Sequence, residues 1–218
     1  MLAGGQHGAA AFPPRRTTGQ NLPNWNDYSW TLRAILLDLQ QWVEKDIEPP
    51  RSCYPTLAAG TLVQGDPPAD RTQYLDLGPE FVSHGIVSHQ PPKLGPDYMV
   101  LVPKANPGGN DSTGIKMPWV AEPLGALTGW NRRNASIGGT GHLLANTGSY
   151  LPFSARQIQM RFKDRADYLH NIEQAARRLS MNRFLLEEDI PRMVDLSEKI
   201  WDWSVHRSEN ADLLQPTN

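Results

Sequence analysis

The sequence predicts a loop-rich, mainly helical chain with one β-hairpin and a helical hairpin near its C-terminus. Three observations predict this fold class. The 218 residues include 19 prolines and 18 glycines, a little above ordinary usage. Apolar residues recur at clear helical spacing in three separate stretches. Two short apolar runs, residues 98–102 and 115–120, have the composition of β-strands. The seven tryptophans argue against a disordered chain.

The first helix is predicted by an apolar stripe with steps of three and four residues, formed by Leu32, Ile35, Leu36, Leu39, Trp42 and Val43. Asn26 or Asp27 can cap its N-terminus, and Pro49 and Pro50 end it. The stripe is strong enough that we expect it to pack on a sheet. Almost no sheet precedes it in this chain.

Loops dominate the segment that follows, residues 49–97, with a short strand expected around Gly60–Val63. The strands over 98–102 and 115–120 are expected to pair as a β-hairpin, with a long turn between them. Two helices close the chain, from about Arg165 to Ser180 and from about Asp189 to Trp203. Their short linker predicts an antiparallel helical hairpin.

Charge and composition exclude several classes of function. The formal net charge is −2 and no long basic run occurs, so nucleic acid is not an expected partner. No apolar run approaches the ~20 residues of a membrane span. The single cysteine, Cys53, excludes an intrachain disulfide and a cysteine-based zinc site. No signal-peptide pattern is visible, no cofactor is predicted, and the compartment is left open.

The main candidate for chemistry is His7, within Gly4-Gly5-Gln6-His7-Gly8. An imidazole titrates near neutrality and can act as a general base. Flanking glycines allow a sharp turn that leaves the ring exposed. The alternative is a mobile histidine without a role, and spacing alone favours that alternative, because one histidine beside glycines is a weak motif.

Three other candidates have weaker support. His84 and His89 are the closest histidine pair, but a metal site needs further ligands within reach. Ser136 lies in a near match to the G-x-S-x-G nucleophile motif that lacks the first glycine. An apolar strand should precede that motif, whereas Asn131-Arg132-Arg133 precedes this one. Cys53 could act as a nucleophile with His7, but it has no motif around it.

An ordered series of short motifs resembles an uncharacterised bacterial α/β-hydrolase-domain family. The series comprises Gly4–Gly8, Phe12-Pro13-Pro14, Gly19-Gln20-Asn21, Leu32-Arg33-Ala34, Gln41-Trp42-Val43, residues 49–55, Gly60–Val63, residues 98–103, Ile115–Pro118, Pro123-Leu124, Thr128–Asn131 and residues 147–153. It covers nearly the whole chain. The resemblance implies an α/β-hydrolase fold, with His7 matching the histidine of the catalytic triad after the last core strand.

The same resemblance implies that the nucleophilic serine and the acid lie upstream, so that this chain is the C-terminal part of a serine hydrolase and is inactive alone. Residues 1–50 would hold the end of the last strand, the histidine loop and the final helix of the core. Residues 51–218 would form a C-terminal extension that includes the β-hairpin at 98–120 and the helical hairpin at 165–203. The substrate would be a small ester-type molecule, and the exposed core face could drive association.

The alternative is a non-catalytic binding or assembly module, supported by the tryptophan-bearing loops and the helical hairpin. A metal-dependent enzyme that uses His84 and His89 is a third class.

Overall fold

The computed structural model describes residues 1–15, 18–64, 83–98, 101–140 and 142–209. Five α-helices lie in these ranges: α1 (Ser29–Lys45), α2 (Pro118–Ala121), α3 (Ala155–Gln159), α4 (Arg165–Met181) and α5 (Ile190–Glu209). The strands there are β1 (Leu22–Pro23), β2 (Leu62–Gln64), β3 (Ser83–His89), β4 (Pro92–Tyr98), β5 (Leu101–Pro103), β6 (Gly125–Thr128) and β7 (Ser149–Pro152). None of these described helices is both long and apolar enough to cross a membrane.

All strand pairs in the described ranges are antiparallel, and they form three small sheets. The largest has the order β1-β7-β6, with Tyr150 of β7 opposite both Leu22 and Leu127. The other two sheets each pair two strands, β2 with β5 and β3 with β4. The strand expected around Gly60–Val63 is therefore present as β2.

The β-hairpin predicted over 98–120 is wrong. Its first strand is divided, because Tyr98 ends β4 and Leu101 begins β5, and the two residues between them lie outside the described ranges. Strand β5 pairs with β2 and not with residues 115–120. Those residues instead lead into α2, which begins at Pro118. A proline has no N–H for a strand pair but fits the first turn of a helix. The hairpin that does form is β3–β4.

Helix α1 matches its prediction in extent but not in packing. The Asp27 carboxylate accepts a hydrogen bond of 3.0 Å from the amide of Ser29, and the helix ends at Asp46 in a left-handed conformation (φ 56°). The six apolar residues that we call the α1 stripe (Leu32, Ile35, Leu36, Leu39, Trp42 and Val43) are between 37 % and 77 % exposed. The expectation that the stripe packs on a sheet is therefore wrong for the part of the chain that the structure describes.

Charge pairs explain why a different face of α1 is buried. Arg33 contacts the buried Asp189 at 3.0 Å, and Arg183 contacts the buried Asp38 at 2.7 Å. Asp38, Thr31 and Ala34 share one face of α1, and they are its buried residues. A buried carboxylate without its partner is costly, so these pairs fix which side of α1 faces the linker between α4 and α5.

The predicted helical hairpin is confirmed as α4 and α5. Arg165 at the start of α4 contacts Asp202, far along α5, at 3.0 Å, so the two helices are antiparallel. Phe162, Tyr168 and Trp201 stack edge-on or tilted at this junction, with ring centroids 5.0–6.2 Å apart. The aromatic contacts give the hairpin a fixed register against the rest of the core.

The hydrophobic core joins residues of the N-terminal segment, up to Tyr28, to residues from Met117 onwards. Trp25 contacts Trp119 and Tyr150 with centroid distances of 5.8 and 5.4 Å. Ile172 and Met193 of the helical hairpin belong to the same buried cluster. The predicted division at residue 50 into a core part and an extension stays a prediction.

Four asparagine side chains lie buried between the loops, at 1 % exposure or less: Asn24, Asn26, Asn110 and Asn131. Each bonds backbone groups of segments distant in sequence. Asn110, for example, donates to the carbonyl of Gly125 (3.1 Å) and accepts from the amide of Leu127 (3.0 Å). Asn131 bonds both the amide (3.2 Å) and the carbonyl (3.1 Å) of Asn21. Buried backbone groups must be paired, and these side chains pair them where no helix or sheet does.

Asn26 offers a direct test of this role. Its Nδ2 donates to the carbonyls of Ala3 (3.1 Å) and Gly4 (3.2 Å), and its Oδ1 accepts from Trp119 Nε1 (2.8 Å). We expect Asn26→Ala to lower the free energy of unfolding by about 3 kcal/mol or more, because buried polar groups lose their partners. Urea unfolding measures the change.

The matched control is Asn182→Ala, which removes one exposed bond to the carbonyl of Arg178 (2.8 Å). This variant should lose less than about 1.5 kcal/mol. Equal unfolding midpoints for the two variants would contradict a structural role of the buried asparagine.

Candidate functional site

The segment before His7 is held against the core by a single parallel bridge. Ala3 donates its amide to the carbonyl of Ile115 and Ile115 donates to that of Met1, both at 2.9 Å. Leu2 and Ile115 are the bridged residues. The apolar start of the chain thus forms one strand-like bridge, and the chain leaves it directly into the loop that carries the histidine.

The chain turns at Gly4. Gly4 has φ +59°, and a Cβ there would lie 2.9 Å from the carbonyl oxygen of Leu127. Only glycine adopts this conformation without strain. The Gly4 carbonyl accepts 2.8 Å from Asn24 Nδ2, and its amide donates to Asp111 Oδ2, also at 2.8 Å. The beginning of residues 4–8, which we call the His7 loop, is therefore fixed in position.

Gln6, directly before His7, makes two further contacts with the core. Its Oε1 accepts 2.7 Å from the amide of Gly148, and its carbonyl accepts 2.8 Å from the Tyr28 hydroxyl. Burial, and then the negative charge of Asp27, raise the pKa of Tyr28, so the hydroxyl remains a donor at neutral pH. The backbone that leads up to His7 is thus attached to several parts of the core, through Gly4 and through Gln6.

The His7 side chain itself is exposed. Within the described part of the chain, no hydrogen bond or ion pair involves its imidazole. Gly8, which follows it, has open space on its Cβ side. The backbone before His7 is therefore held in place, while the imidazole is exposed.

A cavity of about 250 Å³ lies beside the loop. Gly5 is part of its wall, two residues before His7, and apolar walls come from Leu2, Val102, Leu127 and Trp130. Among the described lining residues, Asp111 supplies the only charged side chain. We call this space the Asp111 cavity. It can hold a small, mainly apolar molecule.

The other predicted candidates are not brought to His7 by any contact among the described residues. Ser136 is exposed in a 3₁₀ turn (Ala135–Ile137) capped by Asn134. Cys53 Sγ lies 3.8 Å from the carbonyl of Arg51. His89 is exposed at the end of β3, and the side chain of His84 lies outside those described. The described residues contain no group of three or more His, Cys, Asp or Glu placed to hold a metal ion.

Asp111 is the residue that sequence reasoning missed. It occurs in Asn110-Asp111-Ser112, a triplet that matches a glycosylation motif and gives no hint of a cavity. Its bond to Gly4 joins residues 107 apart in sequence. No local pattern records such a contact, so only the structure could reveal this carboxylate.

Comparison with known proteins gives one match. A family model described as "Alpha/beta hydrolase domain" matches residues 4–195, well over half of the chain. No curated protein and no solved structure matches the chain.

The pH dependence of stability tests the environment of Asp111. Burial raises the pKa of its carboxyl above the ordinary 3.8, outweighing the lowering by the Gly4 amide and by Lys116. The folded chain then binds this proton more tightly than the unfolded chain, so ionised Asp111 reduces stability. As pH falls from about 7 to about 4, that cost disappears.

Wild type should therefore gain stability relative to Asp111→Asn on acidification, as measured by urea unfolding at each pH. Asn keeps an acceptor for the Gly4 amide. Asp46→Asn, at an exposed position, is the control. The difference in unfolding free energy between wild type and this variant should change little with pH. A wild-type advantage over Asp111→Asn that shrinks on acidification would show that the carboxyl has the opposite shift.

Proposed function

Since the chain belongs to the alpha/beta hydrolase domain family, we propose that it is part of a serine hydrolase for esters or related acyl bonds, with His7 as the general base. The observation that carries this proposal is the His7 loop. Its backbone is fixed through Gly4 and Gln6, while the imidazole is exposed and unpaired among the described residues. Fixed placement of a base is what acyl transfer requires.

In the proposed reaction, His7 takes the proton of a serine hydroxyl as the serine oxygen attacks the acyl carbonyl. The imidazolium then donates that proton to the leaving alkoxide, and the acyl-enzyme is hydrolysed by the same steps with water as the nucleophile. A carboxylate bonded to the second ring nitrogen would hold the correct tautomer. Asp111 does not fill that role among the described contacts, because its hydrogen bond is to the Gly4 amide and none joins it to the His7 ring.

Among the described residues, the His7 imidazole has neither a serine nor an acid as a hydrogen-bond partner. We therefore expect the 218-residue chain, purified alone, to hydrolyse p-nitrophenyl butyrate no faster than its His7→Ala variant. The protein purified from its source cells through a C-terminal tag, with everything attached to it, should be active.

In that native preparation, His7→Ala should lower kcat by roughly 10⁴-fold or more, because the serine loses its base. His170→Ala is the matched control, since His170 is exposed on α4, and its activity should be unchanged. Full activity of the His7→Ala variant would overturn the role of His7.

A second candidate function, an assembly module, is favoured by one specific observation. The α1 stripe is a continuous face without a charged side chain, and its six residues are between 37 % and 77 % exposed. Exposed apolar surface of this kind marks an interaction site. The occupant we propose is a second copy of the chain, because two uncharged stripes can meet without burying an unpaired charge.

The available area is consistent with such a dimer. Pairing the stripe with its counterpart would cover roughly 600 Å² on each copy, near the lower limit of about 1,200 Å² in total for a specific interface. Antiparallel pairing would place the positive end of one helix dipole beside the negative end of the other, which is favourable. A two-fold axis through the middle of α1 gives this arrangement.

Sedimentation velocity between about 0.1 and about 100 micromolar tests the dimer, since this range brackets the dissociation constant of about 10⁻⁶ M expected for a small interface. Wild type should dimerise, and Leu36→Glu with Leu39→Glu should be monomeric, since both leucines are exposed and their replacement leaves the core intact. Leu57→Glu, at a residue 64 % exposed outside α1, is the control and should still dimerise. A wild type that stays monomeric throughout would exclude a second copy as the occupant.

A further inference from the structure

The Asp111 carboxylate has hydrogen-bonding capacity that the described chain does not use. One oxygen accepts from the Gly4 amide at 2.8 Å, and Asp111 forms no ion pair with any described residue. Lys116 contributes only a longer-range attraction. An ionised carboxylate has about four acceptor sites. Placing it partly out of water is unfavourable unless a donor or a cation compensates.

The remainder of the Asp111 cavity limits what that donor can be. Its other described lining side chains are uncharged, and Leu2, Val102, Leu127 and Trp130 give it an apolar wall. A volume of about 250 Å³ admits a molecule somewhat smaller than a typical drug-sized ligand. Trp130 adds an aromatic surface of the type that attracts ammonium groups.

We infer that the Asp111 cavity binds a small organic cation, an ammonium group on a compact apolar body, through the carboxylate of Asp111. The ammonium group supplies up to three donors to the unused carboxylate sites, while the body of the ligand covers the apolar wall. This inference goes beyond the proposed hydrolysis. It concerns binding and holds whether or not His7 is a catalytic base.

Calorimetric titration with benzylamine at pH 7.5 tests the inference, with benzyl alcohol as the neutral probe of the same shape. Wild type should bind benzylamine saturably and benzyl alcohol at least about tenfold more weakly, because a charged hydrogen bond is lost. Asp111→Asn should weaken benzylamine binding by at least about tenfold, while it keeps an acceptor for Gly4. Asp46→Asn should bind as wild type does.

A second variant provides an independent test in case Asp111→Asn does not fold. Ala105 lines the cavity, and Ala105→Phe fills the space while leaving the carboxylate in place, so it should also prevent benzylamine binding. Circular dichroism confirms that each variant is folded. Absence of saturable binding to wild type, equal binding of benzyl alcohol, or undiminished binding to either cavity variant would overturn the inference.

Discussion

Hydrogen bonds from four buried asparagines are the constraint on which this loop-rich structure depends. Long described segments between α1 and α4 have little regular structure, yet some of their backbone groups lie in the interior and need partners there. Asn24 and Asn26 supply these partners around Gly4, and Asn131 does so between the loop at Asn21 and the end of the turn at Gly148. Because two of these side chains, Asn24 and Asn26, also hold the His7 loop at Gly4, the stability of the core and the position of the histidine are coupled.

Periodicity predicted the long helices, since α1, α4 and α5 carry apolar residues at helical spacing and have clear ends. It could not predict which face of α1 is buried. Arg33 and Arg183 decide that through carboxylates on Asp189 and Asp38, and these pairs join residues far apart in sequence. The β-hairpin failed for a related reason: composition identifies a strand-like run, but the partner of β5 is β2, set by tertiary contacts.

The sequence predicted one of the two candidate residues, His7, but not the other, Asp111. Flanking glycines marked His7, and the structure gives them a physical reason at Gly4, where φ is positive and the Leu127 carbonyl is close. No sequence motif identified Asp111, because its role depends on a hydrogen bond to Gly4, 107 residues away in the chain. Glycine patterns report backbone conformation locally, whereas a partly buried carboxylate is recognised only when its surroundings are known.

We propose that His7 serves as the general base of a serine hydrolase. Affinity alkylation tests it most directly. An acyl chloromethyl ketone is added to the protein purified from its source cells, and the modified peptides are identified by mass spectrometry. If His7 is the base, its imidazole displaces chloride and is alkylated while the serine hydroxyl adds to the ketone carbonyl as a hemiketal. Activity is then lost at the rate of His7 alkylation, and His142 and His170 stay unmodified. Complete inactivation with His7 unmodified would contradict the proposal.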